Sequence, residues 1–248
     1  MSPKKALPFA LDTSSEIPKF RAETFWTKEP ETIQWINDNL ALKSHADLFI
    51  DVGANIGIYS LYAAEVNCDV PVFAIEPVAT SYDELLKNIA SNHRTEQISG
   101  FCVALSHQMG FGKLINLDSR LGSSGAQIEY IPNPVAGHTV VKSGDRLLEE
   151  VSSEKNLDWQ NIMLKVDTDG NELDVLRGFS NNFNHLKILT VLIETHPSNR
   201  DGIDEFLTSR GLHEDLAYLN VEGHSNIRRE SKGNKERTKI YSRKKATE

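Results

Sequence analysis

Cysteine is scarce in this chain. Its 248 residues hold two, Cys68 and Cys102, and neither sits in a C-x-x-C pair. That argues against a disulfide scaffold or a thiolate metal site and suits free thiols in a reducing compartment. Cys102 lies in an apolar stretch, so a buried thiol is expected there, and the same is expected of Cys68. A basic excess is also missing: 27 Lys and Arg stand against 35 Asp and Glu, a formal net charge of −8. General nucleic-acid binders carry a positive field, so nucleic acid is set aside as a partner. No run reaches the roughly 18 apolar residues that a bilayer-crossing helix requires, so no membrane span is expected. The first ten residues, with Pro8 interrupting a short apolar patch, lack the pattern of a secretory signal. A cytoplasmic setting is the expectation. The histidines show no H-x-x-x-H spacing, and no metal site is assigned. No internal repeat or long linker is visible, and the sequence is silent on oligomeric state.

What is present is an alternation of apolar runs and amphipathic segments. The 39% hydrophobic and 25% charged content is that of an ordinary soluble domain. Residues 1–29 mix Pro, Ser and charge and read as irregular; 30–42 reads as a helix with Pro30 in its first turn. The division expected is an N-terminal extension and helix over 1–42 and a catalytic domain over 43–248. Strands are expected at 47–52, 70–76, 97–105, 162–167 and 188–195, with helices at 58–66, 79–92, 144–153, 171–178 and 201–210. Extended pieces at 111–117 and 139–142 flank a polar loop. Segments 216–221 and 238–242 read as a closing antiparallel hairpin. Repeated strand–helix units predict an α/β fold, a mostly parallel sheet with helices on both faces.

The densest chemistry lies at residues 49–57, Phe-Ile-Asp-Val-Gly-Ala-Asn-Ile-Gly. An apolar strand ends in Asp51, a turn carries Gly53, Asn55 and Gly57, and a helix follows. This layout brings backbone N–H groups and a helix start up to a ligand. A dinucleotide loop would need G-x-G-x-x-G, and here Asn55 and Ile58 replace the second and third glycines. The observed D-x-G-x-N-x-G resembles instead the first motif of class I S-adenosylmethionine methyltransferases, whose cofactor has no phosphate to cradle. Asp51 stands where an acid can hold the cofactor's ammonium, directly or through water. Glu76, closing Phe-Ala-Ile-Glu-Pro, lies about 20 residues beyond the loop, the place of an acid that accepts from ribose hydroxyls.

The second dense stretch is Met163-Leu-Lys-Val-Asp167-Thr-Asp169-Gly-Asn-Glu172. Period two puts Met163, Lys165 and Asp167 on one strand face. A lysine in a covered strand needs a partner. Glu194, in Leu-Ile-Glu-Thr-His, is the expected one. Asp167 and His196 then project at strand ends, where parallel sheets bind ligands.

In order, D-V-G-A-N-I-G, A-I-E-P, V-A-L-S, L-K-V-D-T-D-G-N-E-x-x-V-L-R-G and L-I-E-T-H resemble the FkbM family of methyltransferases over roughly residues 47–196. The resemblance implies a class I, Rossmann-like fold with a seven-stranded, mostly parallel sheet. It also implies S-adenosylmethionine as cofactor and O-methylation of a hydroxyl on a sugar, polyketide, lipid headgroup or similar small molecule. By position, Asp51, Gly53, Asn55 and Gly57 match the cofactor loop, Glu76 the ribose acid, and Val103 and Ala104 the segment along adenine. Gly122, Ser123 and Ser124 match a Gly-Ser-Ser stretch near the site, and Asp145 the acid of a Thr-Leu-Asp-like block. Asp169 stands where the family commonly has Glu, and His107 where an acid often follows Ala-Leu-Ser.

An attacking neutral hydroxyl sheds a proton, which calls for a general base. Asp167 is the first candidate and His196 the second. Asp167, Asp169, Glu194 and His196 could together offer metal ligands, although the same acids suit a cationic cofactor. Residues 117–138 are the candidate lid over an acceptor pocket. Two other readings stay open: a nicotinamide-dependent oxidoreductase on a similar sheet, and an inactive protein that only binds the adenosyl cofactor.

Overall fold

Strands 48–52, 72–75, 162–166 and 188–195 are apolar almost throughout, as strands covered on both faces must be. The computed structural model describes residues 5–41, 46–118, 120–131, 139–155, 157–231 and 236–243. Two helices, α1 (Glu16–Lys28) and α2 (Pro30–Leu40), precede β1 (Leu48–Val52), α3 (Ile58–Val66), β2 (Val72–Ile75), α4 (Ala79–Ser91) and β3 (Ile98–Phe101). The chain then forms β4 (Ala104–Leu105), β5 (Gly110–Ile115), β6 (Gln127–Ile131) and β7 (Thr139–Lys142). It continues through α5 (Gly144–Lys155), β8 (Ile162–Val166), α6 (Glu172–Gly178), α7 (Ser180–Asn184), β9 (Ile188–Thr195) and α8 (Arg200–Thr208). β10 (Leu212–Glu214), a 3₁₀ turn (Leu216–Asn220), α9 (Ser225–Ser231) and β11 (Arg237–Arg243) complete it.

The main sheet runs β10-β11-β9-β8-β1-β2-β3. The pairs β2–β3, β1–β2, β1–β8 and β8–β9 are parallel, and β11 lies antiparallel to both β9 and β10. Alternation along the strands separates two cores. Phe49, Val72, Ala74, Met163 and Leu192 pack under α1–α4 on one face. Leu48, Ile50, Val52, Leu164, Val166 and Val191 pack under α5–α8 on the other. Each fully buried Leu or Ile contributes about 1.5–3 kcal/mol, so these two layers dominate stability. The helices of the N-terminal extension share the first core: Phe25, Ile33, Trp35, Ile36 and Leu40 lie in one cluster with Phe49 and Leu61.

Several expectations are corrected. Residues 16–28, read as irregular, form α1, because Pro18 falls in the first turn, where a missing N–H costs nothing. The long strand expected over 97–105 is two pieces: β3 stays in the main sheet, and β4 pairs with β7 in a second sheet ordered β4-β7-β5-β6. The expected hairpin partner at 216–221 is a 3₁₀ turn. Asp215 accepts from the Ala217 N–H at 3.2 Å, Leu216 and Leu219 face solvent and Tyr218 alone of this turn is buried, so no alternating apolar face holds the segment extended. β11 pairs instead with Leu212–Glu214 and β9. Both cysteines are free and exposed rather than buried. Described basic residues of the tail are engaged internally: Arg243 donates to the carbonyls of Ile188, Arg210 and Phe183, and Lys239 pairs with Asp204 and Glu214. Among the described residues no helix is long and apolar enough to cross a membrane.

Candidate active site

The loop after β1 has left-handed backbone at Gly53 (φ 81°), Asn55 (φ 52°) and Gly57 (φ 87°). Asparagine tolerates that region better than other residues with a side chain. Gly53 and Ala54 N–H groups donate to the Ile75 carbonyl at 2.9 and 3.0 Å, which binds the loop to the end of β2. A Cβ on Gly53 would overlap the backbone oxygen of Asp167. Glycine is therefore required for the turn to press against the end of β8. Gly57 opens α3, and a Cβ there would meet the Leu85 side chain. It shapes the loop without lining the cavity.

Glu76 is 5% exposed. Its carboxylate accepts from the Asn55 N–H at 2.9 Å and the Val78 N–H at 2.8 Å. Burial pushes its pKa up to about 7, and these two donors pull the other way. The cavity in front of it is lined by Gly53, Asn55, Glu76, Val103, Ala104 and Asp167, six residues singled out in the sequence. It also meets Ser123 and Ser124, as the Gly-Ser-Ser resemblance implies. Asn55 Nδ2 donates to the Ser123 carbonyl at 2.7 Å, tying that wall to the loop.

Asp51 departs from expectation. It is fully buried and does not line the cavity. Its carboxylate accepts from Ser60 Oγ at 2.7 Å and from Lys165 Nζ at 3.1 Å. The expected partner of Lys165, Glu194, is instead paired with Arg229. Burial alone would lower the Lys165 pKa, but Asp51, Asp167 and Glu29 together raise it above its ordinary value. Asp167, with its side chain 35% exposed, stands 3.8 Å from the same ammonium and borders the cavity.

The turn after Asp167 is held from below. Glu172, fully buried, accepts from the Gly170 N–H at 2.7 Å, from Thr168, and from Asn199 Nδ2 at 2.6 Å. Asp169, at φ 54°, accepts from the Gly125 N–H at 2.7 Å and so anchors the facing wall. Burial and the neighbouring Asp167 push its pKa up. The shortening from Glu to Asp leaves it an architectural bond.

His196 does not line the cavity. Its Nδ1 is 3.4 Å from Glu236 and its Nε2 4.0 Å from Glu172. Asp145 accepts from the N–H groups of Asn181 and Asn182, so it fastens α7 rather than joining the site. His107 pairs with Asp174 at 3.2 Å. Of the candidate lid, residues 119 and 132–138 lie outside the described residues; the rest supplies β6 and the wall at 122–126. Among the described residues, no group of three or more His, Cys, Asp or Glu is placed to hold a metal.

Sequence reasoning missed Arg21, which lines the cavity from α1, and also Asn171 and Ile128. No motif surrounds Arg21, and nothing local to residues 16–28 indicates that this helix folds over a loop 100 residues away. Asn171 was visible as a helix start, and Ile128 belongs to a strand of five residues inside the segment read as a polar loop.

The family described as "Methyltransferase FkbM domain" matches residues 51–229 of this chain. Hexuronic acid methyltransferase AglP of Haloferax volcanii is 26% identical over 181 residues, covering 70% of this chain and 66% of that protein. Methyltransferase sdnD of Sordaria araneosa is 27% identical over 189 residues, covering 66% of this chain and 72% of that protein. The chain thus spans about two thirds of the length of the first of these relatives. In fold, it is similar to the METTL16 methyltransferase domain (14% identity, 96% of this chain, 74% of that one, TM-score 0.50). It is also similar to StiE O-MT residues 961–1257 (10% identity, 94% and 80%, TM-score 0.50).

Proposed function

The chain belongs to the FkbM methyltransferase family, and from that premise we propose that it methylates a hydroxyl oxygen of a sugar or related small molecule, with Asp167 as general base. The family and its class I fold make S-adenosylmethionine the cofactor, and the nicotinamide reading falls away. The residues present fit that group. Glu76 is a buried carboxylate that already accepts two backbone N–H bonds and keeps lone pairs toward the cavity, which suits ribose hydroxyls. Val103 and Ala104 offer an apolar edge for adenine. Gly53 and Asn55 leave room for the amino-acid portion.

When bound, S-adenosylmethionine supplies an electrophilic methyl carbon on a sulfonium. The protein's share is placement and proton management. Asp167, at the wall shared by the glycine loop and the end of β8, accepts the proton that an acceptor hydroxyl sheds. Glu172 fixes the turn beyond Asp167, and Asp169 fixes the opposite wall, so the carboxylate has a constant position. His196 lies off the cavity and is assigned no proton in this scheme.

The observation that carries the reading is the meeting of Glu76, Val103 and Asp167 on one cavity, although they come from three strand ends. A sugar acceptor is supported by the likeness to a hexuronic acid methyltransferase. The test is incubation with S-adenosylmethionine and a panel of uronic acids, neutral sugars and amines. Mass spectrometry and NMR of the product then locate the added methyl. A methoxy group on a sugar is the expected product; methylation of amines alone would overturn the proposal.

A further inference from the structure

We infer that Arg21 is the carboxylate-binding residue of the cofactor site, reached from an N-terminal helix that no motif marks. The inference rests on the cofactor assignment above. S-adenosylmethionine carries three charges: a sulfonium, an ammonium and a carboxylate. The described lining of the cavity carries three acids, Glu76, Asp167 and Asp169, and a single cation, Arg21. The acids suit the two positive groups and the ribose. Among the described lining residues, Arg21 is the one whose charge is opposite to that of the anionic group.

Arg21 is built into place. Its Nε and Nη2 donate to the Gly122 carbonyl at 3.0 and 2.9 Å, which sets the guanidinium plane at the cavity wall. Those bonds use two of its five N–H groups, and a carboxylate binds a guanidinium through paired N–H donors. Ile17 and Pro18, one turn earlier on α1, lie against Gly122, so the helix packs directly on the loop. Asn55 ties the next residue, Ser123, to the glycine loop. A ligand carboxylate on Arg21 therefore joins α1, the 122–124 wall and the loop after β1. Arg21 also lies close enough to Glu76 to pull that carboxyl's pKa down against burial.

The test is calorimetric and needs no turnover. Two ligands are compared, S-adenosylhomocysteine and its decarboxylated counterpart S-adenosyl-3-thiopropylamine, which differ only in the carboxylate. The intact protein is expected to prefer the first by about 10- to 100-fold, the range of a charged hydrogen bond. Arg21→Gln retains a donor for the Gly122 carbonyl and removes the charge. It is expected to lose most of that preference while binding the decarboxylated ligand as before. Arg21→Lys should keep part of the preference. Equal weakening of both ligands in Arg21→Gln would reduce Arg21 to a structural tie and overturn the inference. Failure of the intact protein to bind either ligand would overturn the cofactor assignment and this inference with it.

Discussion

Lys165 Nζ stands 3.1 Å from Asp51 Oδ1, both fully buried on neighbouring parallel strands. The register sets Asp51 opposite Lys165, and on the other side Lys165 faces Leu192, while Glu194, two residues further on, is taken by Arg229. Asp51, which opens a cofactor motif in the sequence, thus serves the sheet. Its ion pair in turn fixes the lysine that stands behind Asp167.

Removing the lysine leaves a buried carboxylate uncompensated. Lys165→Met is expected to cost about 3–5 kcal/mol in denaturant unfolding. The double change Lys165→Met with Asp51→Leu should recover much of that loss, because neither charge then remains. A double mutant no more stable than Lys165→Met would show that the pair is not coupled.

Asp167→Asn keeps the shape of the wall and removes the base. Turnover is expected to fall about 10²- to 10⁴-fold, with the dissociation constant for S-adenosylhomocysteine nearly unchanged. Stopped-time product assays beside calorimetry separate these two quantities. A large affinity loss with modest loss of turnover would make Asp167 a cofactor ligand instead.

Glu76 supplies a pH dependence. Its folded pKa, about 7, lies above the ordinary 4.5. The stability it contributes is therefore full below the ordinary value and lost as pH rises through about 7. Ribose hydroxyls donate to the ionised form and favour it. Affinity for S-adenosylhomocysteine should then strengthen between pH 6 and pH 8, with proton release on binding. Titration in buffers of different ionisation enthalpy measures that release. Glu76→Gln should lower affinity about tenfold or more and remove the release; a release unchanged in this variant would place the proton elsewhere.

Gly53→Ala is expected to lose cofactor binding and at least about 2 kcal/mol of stability, because a left-handed backbone and a clash with rigid carbonyl backbone coincide. Gly57→Ala meets only the movable Leu85 side chain, and should cost less in thermal unfolding. Equal effects would mean that the approach of Gly53 to Asp167 is unimportant.

The paths from sequence to structure differ by region. The central strands were legible because their apolar runs end at Gly, Asp or Glu, and the site loop because its glycine spacing is narrow. β6 and α9 were not, since both are short: β6 lies inside a stretch read as a polar loop, and α9 is itself polar. The exposed Cys102 misled for a related reason: the chain leaves the main sheet right after Phe101, so an apolar stretch there need not be covered.

By itself the sequence determined what depends on a few residues in a row: the two strand periods, the turn at residues 53–57, the starts of helices such as α2 and α3, and the acids at strand ends. Only the tertiary structure decided which of those acids meet a ligand. The register between strands more than a hundred residues apart gave Asp51 to Lys165, the placement of α9 gave Glu194 to Arg229, and Glu76 and Asp167 were left at the cavity. The packing of α1 brought in Arg21. Local periodicity carries no information about such register, because it is set by the summed packing of both cores, and that sum exists only once the chain has folded.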